Sequence, residues 1–116
     1  MTDLSGLFTP FKLRGVTLPN RIVMPAMRLA ACEDGAPNEE HARYYARRAE
    51  GGAALIMTEG VYIDHPSSGD NPMPGRFHGR PREVAWRVVA SKVPARGGSV
   101  MLWLWPVGFI PLFADA

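Results

Sequence analysis

Three short apolar runs alternate along the chain with two segments of helical periodicity, and this alternation limits the possible folds more than any other feature. The apolar runs lie at residues 22–24, 53–58 and 99–105. Each is short and uncharged, as expected of a strand that is buried on both faces. Strands that alternate with helices are typical of a parallel sheet with right-handed crossovers. We therefore predict an α/β fold in which three parallel strands lie in sequential order.

The first helical segment has well-defined ends. Asn38 is a good N-cap, the two acidic residues at 39–40 suit the first turn of a helix, and the glycine pair at 51–52 would end it. One apolar face follows the helical period and comprises Ala42, Tyr45, Ala46 and Ala49. These features predict an amphipathic helix over about 39–50.

The second helix is predicted over residues 83–93. Its apolar face would be formed by Ala85, Val88, Val89 and the aliphatic part of Lys92. The preceding stretch, residues 64–81, is rich in proline and glycine, and we interpret it as a loop. Loops of this length are uncommon in a compact domain, which indicates a functional role.

Near the start of the chain, residues 11–18 alternate apolar and polar side chains around Gly15. This pattern predicts a β-hairpin, which we expect to cover the bottom of the sheet. Two architectures contain this order of elements. One is a doubly wound open sheet, and the other is part of a (β/α)₈ barrel. The pattern alone leaves both open.

Composition excludes several classes of protein. The residues are 47% hydrophobic and 21% charged, which is typical of a globular domain. The net charge of +2 comes from scattered charges, so we expect no nucleic-acid partner. We expect no signal peptide and no membrane span, because the apolar run at 100–113 is interrupted by prolines and shorter than the roughly 20 residues of a membrane helix. The single cysteine, Cys32, excludes an internal disulfide and fits a reducing cytoplasm.

Several blocks of this sequence, in the same order along the chain, resemble the beginning of the Old Yellow Enzyme family. They are LFTPFKLRGVTLPNRIVMPAM (7–27), YYARRAEGG (44–52), LIMTEG (55–60), VYIDHPS (61–67) and LWLWPVG (102–108). The resemblance extends over roughly residues 4–108. It favours the barrel over the doubly wound sheet, because members of this family are TIM barrels with FMN at the carboxyl ends of the strands.

The resemblance implies hydride transfer from NAD(P)H through FMN to an activated alkene or similar small molecule. A full barrel takes about 250 residues, so we expect the 116 residues to form a partial (β/α)₈ barrel. It would be a single incomplete domain over 1–116, with a divergent tail at 109–116. The substrate-binding and proton-donating residues of the family lie beyond position 116. We therefore assign no catalytic residue and expect the chain alone to be inactive.

The resemblance also implies positions that contact the flavin. Pro25, Ala26 and Met27 match a turn whose backbone lies against the flavin ring; a strand terminator with a packed methionine is the alternative. Gly60 matches a small residue that lets the ring approach, although an ordinary turn glycine would look the same. Trp103 replaces a glutamine that hydrogen-bonds the flavin in the family. Because an indole has one donor and no acceptor, we expect the flavin site to be damaged at this strand; the alternative is a pocket tuned by this Trp.

Other polar residues are weaker candidates. Arg28 could reach a phosphate or carboxylate, or it could be solvated. His41, His65 and His78 are predicted to be solvated surface residues, and we find no metal-ligand spacing among them. Cys32 would lie in the loop after the first strand and is interpreted as a bystander, because reactivity requires a lowered thiol pKa.

Two hypotheses about function remain. In the first, the chain is part of an FMN oxidoreductase. The second is a non-catalytic half-barrel that self-associates or pairs with another chain through its open sheet edges. Without the other strands, apolar residues of the inner face would lack partners; they include Ile22 or Val23, Leu55 or Ile56, and Leu102 or Leu104. Each large side chain left exposed forfeits about 1.5–3 kcal/mol. We therefore expect a marginally stable monomer.

Overall fold

The computed structural model describes residues 2–68 and 75–106, and its elements follow the predicted order of hairpin, strand, helix, strand, helix and strand. The helices are α1 (Glu39–Glu50) and α2 (Arg80–Lys92). The strands are β1 (Phe11–Leu13), β2 (Val16–Leu18), β3 (Val23–Met24), β4 (Leu55–Tyr62), β5 (Gly75–Arg76) and β6 (Ser99–Leu104). The divergent tail predicted at 109–116 lies outside the described residues.

Strand β4 is the centre of the sheet. Its first residue, Leu55, pairs in parallel with Val23 of β3 and with Ser99 of β6, so these two strands lie on opposite edges of β4. The order β3-β4-β6 is the sequential order predicted for a barrel segment. A doubly wound sheet would reverse direction at a switch point, and the described strands show no such reversal.

The interpretation of residues 64–81 as a loop is wrong at one point, because β5 lies inside it. Gly75 of β5 pairs in parallel with Val61 near the end of β4. Val61 also pairs with Leu104 of β6, which places β5 on the same edge of β4 as β3. Strand β5 consists of a glycine and an arginine and forms no apolar run, so the sequence carried no signal for it.

The hairpin is confirmed. Strands β1 and β2 are antiparallel, with Phe11 opposite Leu18. Leu18 is buried in a small cluster with Ala54 and Leu55, at the amino end of β4. The hairpin therefore lies at the bottom of the parallel strands, opposite the edge at which their carboxyl ends meet.

Both helices cover one face of the sheet. For α1 the predicted N-cap is confirmed, since the Asn38 side chain accepts hydrogen bonds from the backbone of Glu40 and His41. For α2 the helix begins three residues earlier than predicted, and the predicted face is confirmed only at Val89. Val88 is exposed, and the buried residues are Trp86 and Val89. The reason is the Trp86 ring, which fills the core and donates a hydrogen bond from Nε1 to the Arg76 carbonyl at 3.1 Å.

The other face of the sheet is open. Ile56 is fully buried on the helix side, where Met24, Val100 and Leu102 pack with it. Because side chains alternate along a strand, the neighbours of these residues point away from the helices, and three of them are 40–44% exposed: Val23, Met101 and Trp103. The described residues form a parallel sheet with two helices and no closed barrel. None of their helices is long and apolar enough to cross a membrane.

Candidate functional site

The positions predicted to contact a flavin lie along one edge of the sheet. Strand β3 runs directly into Pro25, Ala26 and Met27, and Gly60 near the end of β4 is paired with Trp103 in β6. Because the three strands are parallel, their carboxyl ends meet at the same edge. Met27 is 54% exposed there. Residues far apart in sequence are thus brought together at the edge where barrel enzymes place their sites.

An aromatic ring lies against Gly60, but it belongs to the chain itself. A Cβ atom at position 60 would lie 2.7 Å from Cε3 of Trp105, which is closer than any side chain can approach. Trp103 stacks on Trp105, with ring centroids 5.9 Å apart and an interplanar angle of 21°. Gly60 is therefore required by close packing against an indole. We call Trp103 and Trp105 the indole pair.

Arg28 belongs to the same edge. It is exposed, and its guanidinium carbon lies 6.0 Å from the centroid of the Trp105 ring, at the limit of a cation–π contact. The Tyr62 ring lies 6.2 Å from the same indole. Arg28 is thus exposed, as one of the two alternatives predicted, and its guanidinium lies close to an aromatic ring.

A second group of polar side chains lies on the helix-covered side of the sheet. Cys32 comes from the loop after β3, His41 from the first turn of α1 and Glu59 from β4. His41 Nε2 lies 2.8 Å from Glu59 Oε1, and the Cys32 sulfur lies 3.4 Å from each of these two atoms. His41 and Glu59 are fully buried and Cys32 is half-buried. The prediction of a solvated His41 is wrong. We call these residues the Cys32–His41–Glu59 cluster.

The surrounding backbone holds this cluster in place. Glu59 Oε2 accepts hydrogen bonds from the amides of Leu29 at 2.9 Å and Ala30 at 3.3 Å. On the other side, His41 Nδ1 lies 3.1 Å from Asn38 Oδ1. These contacts leave Glu59 Oε1, His41 Nε2 and the thiol facing one another.

The electrostatics of the cluster follow from its burial. For Glu59, desolvation opposes ionisation, but hydrogen bonds from His41, Leu29 and Ala30 outweigh it and hold the carboxyl pKa below its ordinary value. For Cys32, burial and the negative charge of Glu59 raise the thiol pKa to about 12. The free thiol is therefore protonated at neutral pH and a poor nucleophile, as expected from the sequence.

A faint signal for this cluster does exist in the sequence. His41 lies on the same side of α1 as Ala42, Tyr45 and Ala49, all of which are buried. Glu59 is a single carboxylate in an otherwise apolar strand. A buried carboxylate needs a partner, but nothing in the spacing shows that the partners are 18 and 27 residues away.

Comparison with known proteins assigns this sequence to a family. Residues 6–111 match the NADH:flavin oxidoreductase / NADH oxidase family. The flavin oxidoreductase hxnT of Emericella nidulans is 32% identical over 114 residues, which cover 93% of this chain and 29% of that protein.

Solved structures agree with the sequence comparison. Morphinone reductase in complex with tetrahydroNAD superposes with a TM-score of 0.78 at 32% identity, over 85% of this chain and 26% of that one. Old Yellow Enzyme from Pichia sp. AKU4542 superposes with a TM-score of 0.79 at 25% identity, over 86% and 26% of the two chains. The chain therefore spans between a quarter and a third of the length of these relatives.

Proposed function

This chain belongs to the NADH:flavin oxidoreductase / NADH oxidase family, and we propose that it forms the first flavin-facing strands of an FMN-dependent NAD(P)H oxidoreductase. One observation supports this most directly. Pro25, Ala26, Met27, Gly60 and Trp103, the positions that the resemblance assigns to the flavin, occupy the carboxyl edge of three neighbouring parallel strands. That edge is where TIM-barrel enzymes bind their cofactors.

At two of the three strands, β3 and β6, the residues leave room for a flat cofactor. At β3, the turn at 25–27 is open, with Met27 exposed, and at β6 the Trp103 side chain is 42% exposed. At β4, Trp105 covers the face of Gly60 that a flavin ring would approach. FMN would therefore be held by the backbone of residues 25–27 and by Trp103, and the indole pair would limit its approach to β4.

When bound, FMN supplies the hydride transfer between NAD(P)H and an activated alkene or similar acceptor. The residues described here position the ring. Trp103 can donate one hydrogen bond and accept none, so it serves the pyrimidine edge of a flavin less well than an amide would. Weak FMN binding and no turnover by the chain alone are the expected result, because none of its described residues is assigned to protonate substrate.

The proposal is tested by adding FMN to the purified chain and following flavin fluorescence and visible absorbance. We expect saturable, weak binding of one FMN per chain. Trp103→Gln should tighten binding by up to roughly tenfold, the value of one added hydrogen bond. Met101→Gln is the matched control, since Met101 is similarly exposed on the same strand and should leave FMN affinity unchanged.

Absence of binding by both the natural chain and Trp103→Gln would reject a flavin role for this edge. Equal tightening by Trp103→Gln and Met101→Gln would reject the assignment of Trp103. Oxidation of NAD(P)H by an alkene, with FMN supplied, should proceed at the rate seen without protein. A faster rate would show that the chain is catalytically self-sufficient.

A second candidate function is self-association, and a different observation favours it. Among the described residues, β3 and β6 pair with β4 but leave their outer edges free. The open face also exposes Val23, Met101 and Trp103 by 40–44%. Unpaired edges and exposed apolar side chains are both features through which sheets associate. Sedimentation velocity at micromolar concentration should show oligomers, and a compact monomer would reject this candidate.

A further inference from the structure

We propose that the Cys32–His41–Glu59 cluster binds a divalent transition-metal ion of the zinc class. The inference uses only the geometry of the cluster and does not depend on flavin binding. Thiolate, imidazole and carboxylate are the ligand types that zinc takes in proteins, at about 2.0–2.3 Å. Tetrahedral ligands at those lengths lie on the order of 3.4 Å apart. The sulfur is already 3.4 Å from both His41 Nε2 and Glu59 Oε1.

Only one distance in the cluster has to change. His41 Nε2 and Glu59 Oε1 are joined by a hydrogen bond of 2.8 Å, which must open slightly to admit an ion between them. One ligand atom from each of the three residues lies within 4.8 Å of the others, so the displacement required is small.

The neighbouring groups are those expected around a metal site. Metal-ligating histidines donate their second ring N–H to a carbonyl or carboxylate, and ligating carboxylates are themselves hydrogen-bonded. Here His41 Nδ1 accepts a 3.4 Å hydrogen bond from the Asn38 amide. Asn38 Oδ1 lies 3.1 Å from the same nitrogen and can accept its proton once Nδ1 is protonated. The amides of Leu29 and Ala30 hold Glu59 Oε2 and leave Oε1 free to ligate. The orientation of both ligands is thus set in advance.

The charges also balance. A thiolate and a carboxylate contribute two negative charges, and the imidazole is neutral, so a divalent ion leaves the buried site without net charge. As the bond between sulfur and metal forms, the Cys32 thiol proton leaves to solvent. His41 binds through Nε2, so the proton that Nε2 donates to Glu59 leaves to solvent and Nδ1 takes up one from solvent. The imidazole therefore stays neutral. The sulfur and nitrogen ligands favour zinc or cobalt over magnesium or calcium, which prefer oxygen.

The exposure of Cys32 provides an entry path. His41 and Glu59 are fully buried, whereas Cys32 is only half-buried. The ion would therefore enter from the Cys32 side. Three protein ligands leave a fourth position for water or another small ligand.

Cobalt(II) is the probe of choice, because a bond between thiolate and cobalt produces a near-ultraviolet charge-transfer band. The full chain, stripped with a chelator, is titrated with Co²⁺ and then with competing Zn²⁺. We expect one ion per chain, and Zn²⁺ should displace the cobalt. Cys32→Ser should abolish the band, and His41→Asn should weaken binding about tenfold or more. His78→Asn is the matched control and should bind as the natural chain does.

Absence of the band at saturating Co²⁺ in the natural chain would overturn the proposal. It would also be overturned if His78→Asn lost as much affinity as His41→Asn. A further measurement needs no variant and so does not depend on a variant's folding. Cys32 is the sole cysteine of the sequence, so its reaction with a thiol reagent is read directly. Zn²⁺ should slow that reaction about tenfold or more, and an unchanged rate would reject the site.

Discussion

The two faces of the sheet place similar residues in opposite environments. On the helix-covered face, Trp86 is 2% exposed and its indole nitrogen donates to a backbone carbonyl. On the open face, Trp103 is 42% exposed and contacts mainly its neighbour Trp105. Both tryptophans belong to the same parallel α/β unit. The difference lies in what covers them, since α1 and α2, the two α-helices of the described residues, cover only one face.

The two faces also differ in the polar groups that they carry. The covered face contains the Cys32–His41–Glu59 cluster, in which a buried carboxylate is hydrogen-bonded by a histidine and by two amides. A charge in such a place is tolerated only when it is fully partnered. The open face instead carries apolar side chains that other strands cover in a complete barrel. One face is therefore covered by the two described helices, and the other is left open.

The largest difference between the faces should appear when each tryptophan is removed. Trp86→Ala leaves a cavity in the core and should lower the free energy of unfolding by about 3–5 kcal/mol. Trp103→Ala, the matched change on the open face, should change it by about 0.5 kcal/mol or less. Urea denaturation followed by circular dichroism measures both. Equal losses would show that the open face is covered in solution.

A substitution at Gly60 tests its packing against the Trp105 ring. Gly60→Ala would place a methyl group 2.7 Å from the Trp105 ring and should cost about 1–3 kcal/mol of stability through overpacking. Gly6→Ala is the control, because no atom lies within 4 Å of a Cβ there. The double variant Gly60→Ala with Trp105→Ala should recover most of the loss. If it recovers none, Trp105 does not pack against Gly60.

The N-cap of α1 should have a smaller effect. Asn38→Ala removes the acceptor for the backbone amides of Glu40 and His41, and should cost about 1 kcal/mol. Asn38→Ser keeps a capping oxygen and should cost less, although it loses the hydrogen bond from Asn38 Nδ2 to the Ala31 carbonyl. Thermal unfolding ranks the two variants. A serine variant as unstable as the alanine variant would show that this second bond, not the cap, stabilises the region.

The smallest effect on stability is expected at Met101. Met101→Thr replaces an exposed apolar side chain by a β-branched polar one and should change the free energy of unfolding by about 0.5 kcal/mol or less. It should nevertheless reduce self-association in sedimentation velocity, because the open face becomes less apolar. Unchanged association would indicate that pairing at the sheet edges, and not this face, holds oligomers together.

Much of the fold was predictable, because local signals coincide with the tertiary arrangement. The Asn38 cap, the glycines after α1 and the alternation around Gly15 act over a few residues, and all three are confirmed by the structure. The face of α2 was predicted correctly at Val89 and wrongly at Val88, because periodicity alone does not distinguish Val88 from Trp86, whereas packing favours burial of the larger ring. The assignment of residues 25–27, Gly60 and Trp103 to a flavin stays a prediction, as does a cytoplasmic location.

The sequence by itself determined the order of the hairpin, both helices and strands β3, β4 and β6, the parallel direction of these three strands, and the family, because periodicity, caps and motifs are local properties of the chain. Only the tertiary structure decided which ring lies against Gly60, and which partners His41 finds. Those contacts join residues 45 and 18 positions apart. They depend on the register between β4 and β6 and on how α1 lies on the sheet. Packing sets both the register and the position of α1, and the spacing of the motifs predicts neither.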